Sequence, residues 1–367
     1  MRAEAIVDLA AIKANVKFLK DKSGVNVLAV VKADAYGHGL VDVAKAAIDA
    51  GASMLGVALL EEAIALREAG ITAPILAWLL QPGSDFKSAI DHDIDIAAAS
   101  IAALKEIQSA SLDKKARVHL EVDTGMSRGG FLSEWGQLDA HHVAGIEIVG
   151  LFSHFASADE PGANQNQQQL QRYREMLTTL ESFGFTKIIR HLSNSAAALT
   201  IPEAAFDMVR VGIAMYGLSP DVTTLGSSKS LGLRPAMQLR AALYLVKEVP
   251  AGTPVGYGAT ELTSRDTKLG VVVCGYADGI PRIAHEAGVW INGVRAPIIG
   301  RVSMDQFVVD LGPDSKAKSG DWVVIFGNGS HGEYTADDWG AASSSINYEI
   351  TTRIGPRVPR IYGAHVY

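Results

Sequence analysis

A chain of 367 residues, 48% hydrophobic and 20% charged, can bury a large core and is long enough for two domains. Its net charge of −7, with no basic block, argues against nucleic acid or an anionic membrane surface as the main partner, and no uncharged apolar stretch approaches bilayer length. One cysteine, Cys274, excludes an internal disulfide framework and, with Glu4, Asp8 and Lys13 interrupting any signal-like apolar run, leads us to expect a cytoplasmic protein.

In chain order, a helix is expected at about 10–20. Short apolar runs follow near 27–32, 54–58, 75–79, 94–98, 117–122, 147–153, 187–192 and 207–211. Helical patterns such as VDVAKAAIDA, LEEAIALREA, SIAALKEIQSA and QNQQQLQRYREMLTTLESF separate most of them. Strands alternating with helices imply βαβ units and a parallel sheet, and eight of them suit a closed (β/α)₈ barrel. Around 221–236 the Ser-, Thr- and Gly-rich DVTTLGSSKSLGLRP reads as a linker. Beyond it RAALYLVKEV, KLGVVVCGY, APIIGRVSM, QFVVDLG and DWVVIFG are short β-branched runs separated by turns. The expected fold is therefore α/β, with a (β/α)₈ TIM-type barrel over 1–230 and a mostly antiparallel β domain over 231–367.

Polar residues fall at the ends of the barrel runs, where the active sites of this fold lie. Lys32 closes the first run in VLAVVKADAYGHG; Glu121 and Asp123 close the fifth, and His154 the sixth. His191 ends the seventh, followed by Ser193, Asn194 and Ser195, and Arg210 ends the eighth, followed by Gly212. Singly, these read as a lysine reaching water, a satisfied core histidine, a capping serine or a paired arginine. Together at one barrel mouth they suggest more. A desolvated lysine offers the free amine that attacks a carbonyl. The loops after strands seven and eight are the usual phosphate site of the fold. A phosphate site, a Schiff-base lysine and an arginine able to meet a pyridine nitrogen point to pyridoxal 5′-phosphate, although a phosphosugar enzyme would also suit the bare barrel. No His-x-His pair lies on an early strand, so no metal is expected.

The segments VVKADAYGHG, HLEVDTGMSRGGF, GLFSHFASAD, HLSNSAA, VRVGIAMYGL, VGYGAT, GYADG, GRVSMDQ and RVPR follow one another from residue 30 to residue 360. Together they resemble the alanine racemase family. The resemblance implies a homodimer with composite active sites, each formed by one subunit's barrel and the other's β domain. Lys32 would hold the cofactor as a Schiff base, Tyr36, Ser195, Gly212 and Ile213 would receive its phosphate, and Asn194 would be a further cofactor-binding residue. Arg210 would face the pyridine nitrogen with His191 behind it. Tyr257, in PVGYGAT, would take the α-proton of the L-enantiomer and Lys32 that of the D-enantiomer, with His154 hydrogen-bonded to Tyr257. Arg128 would contact the substrate carboxylate or the cofactor, and Met304 and Asp305 of the partner would line the substrate pocket. Tyr276, Arg282, Arg301 and Asp159 match positions along the substrate's approach. The implied activity is D-alanine supply for peptidoglycan.

Two positions depart from the family pattern. Many members carry a carbamylated lysine where this chain has Glu121; the Glu121 carboxylate is expected to do the carbamate's work on Arg128, directly or through water. Pro356 stands where a phosphate-contacting tyrosine is frequent, and proline has no side-chain donor. A racemase of a related amino acid such as serine, a decarboxylase on the same plan, and a non-catalytic cofactor-binding barrel are the competing readings.

Overall fold

A computed structural model describes residues 1–139, 141–284 and 286–367. It divides into two compact units, neither continuous in sequence. One comprises Ile12–Ala35 and Leu40–Leu233; the other comprises Met1–Ala11, Tyr36–Gly39 and Arg234–Tyr367.

The chain opens on a strand, β1 (Ala3–Val7), that sequence reading does not anticipate, and the helix Leu9–Ser23 follows it. Eight parallel strands then build the larger unit: β2 (Asn26–Val30), β3 (Met54–Val57), β4 (Ile75–Ala77), β5 (Ile94–Ala98), β6 (Arg117–Glu121), β7 (Glu147–Phe152), β8 (Ile189–His191) and β9 (Met208–Val211). They pair in the order β8-β7-β6-β5-β4-β3-β2-β9, so the last strand lies against the first. The Arg210 N–H donates to Ser193 O at 2.9 Å and the Asp207 N–H to Arg190 O at 3.1 Å, which nearly closes the barrel between β8 and β9. All eight lie where the apolar runs predict. Their sequences are near-continuously apolar because both faces are covered, and β3, β4, β5 and β9 are buried at every position. Helices such as Ile101–Ala110, capped by the Ser100 hydroxyl on the Ala103 N–H, return the chain between strands.

The second unit is built on the long strand β10 (Met237–Val249). The short β11 (Pro254–Val255) and β12 (Glu261–Leu262) form a two-stranded ribbon. Next come β13 (Thr267–Val272), β14 (Gly288–Ile291), β15 (Val294–Pro297), β16 (Phe307–Asp310), β17 (Trp322–Phe326) and β18 (Arg360–Tyr362). Strand β10 pairs antiparallel with β1, β13 and β17; the β1–β18 pairing is parallel. The β14–β15 hairpin turns on Asn292 and Gly293, both at positive φ (51° and 85°), as a two-residue hairpin turn requires. All five residues of β1 are buried, including Glu4, whose carboxylate accepts from Arg240 Nε at 2.7 Å on the neighbouring strand. An acid within so short a run, just before an apolar helix start, hides that strand from a sequence reading. The N-terminal strand thus belongs with the C-terminal sheet.

Candidate active site

Strand β2 ends at Val30, and the Val31 N–H still donates to Gly56 O at 2.9 Å. Lys32 follows directly, so it sits just past the strand end, at the C-terminal face of the barrel. From Ala33 to Tyr36 the backbone is left-handed, with φ of 53° to 54° at four successive non-glycine residues. Such a turn costs roughly 1–2 kcal/mol per residue and must be held by its surroundings. Glu62 does part of this: its Oε1 accepts from the Ala33 N–H at 2.6 Å, and its Oε2 from Ala58 and Leu59 at 3.0 and 3.1 Å. Asp34 Oδ1 accepts from the Leu40 N–H at 2.9 Å, and the Tyr216 hydroxyl donates to Val30 O at 2.8 Å. Burial lowers the Lys32 pKa, and the nearby Arg128 charge lowers it further against an opposing pull from Glu62. The free amine is thereby favoured.

Arg210, on β9, is buried and is the hub of the site. Its Nη1 donates to His191 O at 2.6 Å and lies 3.3 Å from His191 Nδ1. Its Nη2 donates to Ser153 O at 2.6 Å and Leu192 O at 3.3 Å, and lies 3.2 Å from His154 Nδ1. Its Nε makes no hydrogen bond among the described residues, so one donor remains for a ligand. Burial pulls the guanidinium pKa down to about 10, which leaves it charged at neutral pH. The His154 pKa falls to about 3 through burial first, then the charges of Arg210, Arg128 and Lys32. His154 is therefore neutral. With Nδ1 facing an arginine that only donates, its proton sits on Nε2. The Asn194 amide nitrogen lies 3.5 Å from that Nε2.

The loops after β8 and β9 are tied together. Asn194 caps the helix Ser195–Thr200 through its Oδ1 on the Ala197 N–H at 3.0 Å. The Ser195 hydroxyl oxygen accepts from the Gly212 N–H at 2.9 Å and the Ala214 N–H at 3.3 Å. Gly212 precedes the 3₁₀ turn Ile213–Tyr216. The Ser195 hydroxyl, the start of the helix it opens and the loop around Gly212 thus converge, a setting that suits a phosphate.

Glu121 ends β6, and burial raises its pKa against the opposing pulls of Arg210 and Arg128. Asp123 Oδ1 gathers the N–H groups of Gly125, Met126 and Ser127 at 2.9, 3.0 and 3.1 Å and so shapes the loop that presents the exposed Arg128. Among the described residues Glu121 and Arg128 form no direct ion pair; a Cβ on Gly129 would lie 3.5 Å from Glu121 Oε1, so the carboxylate rests against that loop's backbone. Asp159 O accepts from the Thr224 hydroxyl at 2.5 Å.

The remaining expected site residues belong to the second unit. Tyr257 sits between β11 and β12, flanked by Gly256, Gly258 and Ala259 at φ of 71°, 78° and 46°, and is 71% exposed. Met304 is 54% exposed. The Tyr276 N–H donates to Ser303 O at 3.1 Å and the Ala277 N–H to Met304 O at 2.9 Å, which joins the GYADG and GRVSMDQ loops. Asp305 Oδ1 accepts from Arg357 at 2.7 Å, and Arg357 Nε lies 3.3 Å from the buried Asp278, which Arg2 grips at 2.5 and 3.0 Å. Arg282 and Arg301 are exposed. Burial pushes the Tyr36 phenol up to about 12, and the Tyr348 ring lies 6.3 Å from that of Tyr36. Sequence reasoning missed Glu62, Arg357 and Tyr348. Glu62 sits in an ordinary helical pattern, Arg357 lies inside the RVPR segment with no role given to it, and Tyr348 had no strand end to mark it.

Residues 7–220 match the family model "Alanine racemase, N-terminal domain" and residues 236–362 match "Alanine racemase, C-terminal domain". A protein of Salinispora arenicola named alanine racemase is 51% identical, over 98% of this chain and 98% of that one. The crystal structure of alanine racemase from Streptomyces lavendulae is 46% identical with a TM-score of 0.96, covering 100% of this chain and 98% of that one. That of Streptomyces coelicolor is also 46% identical, with a TM-score of 0.95 and 98% of each chain covered. Two family models that together take in nearly the whole sequence, and relatives matched end to end, place this chain in the alanine racemase family.

Proposed function

We propose that this chain interconverts L-alanine and D-alanine with pyridoxal 5′-phosphate, as a two-base racemase. One observation carries the reading: Lys32 with its lowered pKa, Arg210 with its unpartnered Nε–H, and the Ser195–Gly212 donor cluster all stand at the C-terminal ends of the barrel strands. When bound, the cofactor supplies an electron-accepting ring that makes the α-proton of an attached amino acid removable.

Lys32 holds the cofactor, and Tyr36, Asn194, Ser195, Gly212 and Ile213 surround its phosphate. Arg210 points a donor at the ring nitrogen and keeps its own proton, because a group titrating near 10 does not surrender one at neutral pH. By keeping that proton Arg210 would leave a bound ring a weaker electron sink and so would disfavour transamination. His191 sits behind Arg210. Tyr257 removes the α-proton of L-alanine; Lys32 acts on the opposite face and removes that of D-alanine. A neutral phenol is a poor base, so Tyr257 needs a hydrogen-bond donor that stabilises its phenolate. The Nε2–H that Arg210 imposes on His154 is suited to that task. Arg128 receives the substrate carboxylate, and Met304 and Asp305 line the pocket.

In this reading the chain works as a homodimer in the cytoplasm and supplies D-alanine for peptidoglycan. The barrel portion within 1–230 binds the cofactor, and 231–367 of the partner brings the catalytic tyrosine. Serine is the nearest alternative substrate, and a substrate panel separates it from alanine.

Tyr257→Phe tests the two-base assignment. The enantiomers are equally stable, so kcat/KM must fall equally in both directions, and the asymmetry appears in proton exchange. D-alanine should still exchange its α-proton with solvent through Lys32 and keep its configuration, while L-alanine should lose exchange by about 10²-fold or more. Equal exchange from both enantiomers would remove Tyr257 from its role.

A further inference from the structure

A line of buried polar side chains runs through the barrel from its N-terminal end towards Arg210, and the proton transfers above make no use of it. Residues 117, 119 and 121 alternate along β6 and so share one face. His191 Nε2 lies 2.9 Å from His119 Nδ1, and His119 Nε2 lies 3.3 Å from Asp95 Oδ2 on β5. Asp95 Oδ1 accepts from Arg117 Nε at 2.8 Å. His119 and His191 are fully buried and Asp95 nearly so.

The surrounding strands are shaped for this line. A Cβ at position 150 would overlap His119 Nδ1, so only glycine leaves the imidazole its place. Phe152, two residues on along β7, stacks on His191 at 5.1 Å between centroids and 14° between planes, and the Arg210 guanidinium carbon lies 5.4 Å from the Phe152 ring centroid.

The two ends of the line set the protons in between. Arginine only donates, so His191 Nδ1 must accept and its single proton sits on Nε2. That N–H points at His119 Nδ1, which must accept in turn, and the His119 proton then sits on Nε2 and faces a carboxylate. Burial drives the His191 pKa well down and the Arg210 charge acts the same way, so the ring stays neutral. Burial alone would raise the Asp95 pKa, but hydrogen bonds from His119 and Arg117 outweigh it and keep the carboxylate ionised. One arrangement of protons satisfies every partner.

We infer that Asp95 and His119 are positioning residues for Arg210: Asp95 fixes the tautomers of His119 and His191 so that an imidazole lone pair meets the guanidinium. The consequence for catalysis rests on the reading that Arg210 faces the cofactor's ring nitrogen; the tautomers themselves do not.

Asp95→Asn tests it. Arg117 claims the oxygen of the introduced amide, so the amide N–H₂ faces His119. Both imidazoles must then reverse, and His191 turns an N–H towards Arg210. Adding Arg117→Met frees that amide oxygen for His119 and should restore the original tautomers.

The readout is nitrogen-15 NMR of histidine-labelled holoenzyme, assigned with His119→Gln and His191→Gln, beside steady-state kinetics with alanine. The wild type should show both rings neutral with the proton on Nε2. Asp95→Asn should move both protons to Nδ1 and lower kcat about tenfold, as one mispaired buried hydrogen bond would, with little change in KM. The double variant should recover both. An imidazolium or an Nδ1–H at either ring in the wild type overturns the proposal without any variant having to fold. Reversed tautomers with unchanged kcat overturn the positioning role. A wild type with the expected tautomers and no racemase activity would instead contradict the proposed function.

Discussion

Lys32 and Glu121 are both desolvated, and burial pushes each towards its neutral form. For Lys32 the neighbouring charge of Arg128 acts in the same direction as burial, against a pull from Glu62, so the free amine is favoured. For Glu121 the charges of Arg210 and Arg128 oppose burial and favour the anion. We propose that this anion acts on Arg128 through water, because no direct pair forms among the described residues. Glu121→Gln keeps the shape and removes the charge. It should lower kcat/KM for alanine by roughly three- to tenfold, in keeping with a solvent-bridged ion pair worth about 1 kcal/mol, measured at saturating cofactor. An unchanged kcat/KM would contradict the role. At this scale the sequence exposed residues that end apolar runs: Lys32, Glu121, His191 and Arg210 are visible because a charged or titratable group interrupts a buried strand. Glu62 was not visible, because a glutamate in a helix looks like solvated surface until its two oxygens are seen holding a left-handed turn.

The barrel strands are legible because parallel strands covered on both faces read as short, near-continuous apolar runs. β1 was not legible, since Glu4 breaks its run and its pairing partners lie far along the chain, at residues 237–241 of β10 and in β18. The polar line inside the barrel was equally hidden: Asp95 and His119 look like alternation within strands, and only the register of β5, β6 and β7 brings Asp95, His119 and Gly150 together. Gly150 makes the dependence measurable. Gly150→Ala forces a methyl against the His119 ring and should cost about 1–3 kcal/mol of stability, the range for overpacking a filled interior. Urea unfolding should show a lower midpoint at unchanged slope. A midpoint equal to that of the wild type would mean that the ring is not held as described.

Across the whole molecule, the nine motifs run from residue 30 to residue 360 and the two family models from 7 to 362. The sequence alone therefore supported both the fold and the family, while the positions that tune the site emerged from the structure. Pro356 illustrates the limit: a sequence reading sees a lost tyrosine, and the structure adds that the adjacent Arg357 is committed to Asp278 and Asp305. The central claim is that this chain moves the α-proton of alanine between the two faces of its carbon. Incubation of the holoenzyme with L-alanine in deuterated water tests it most directly, with chirality and isotope content read together. We predict D-alanine that carries deuterium at the α-carbon, approaching an equal mixture of enantiomers without release of carbon dioxide. Carbon dioxide release, or a bound cofactor chromophore with no inversion and no deuterium uptake, would contradict it.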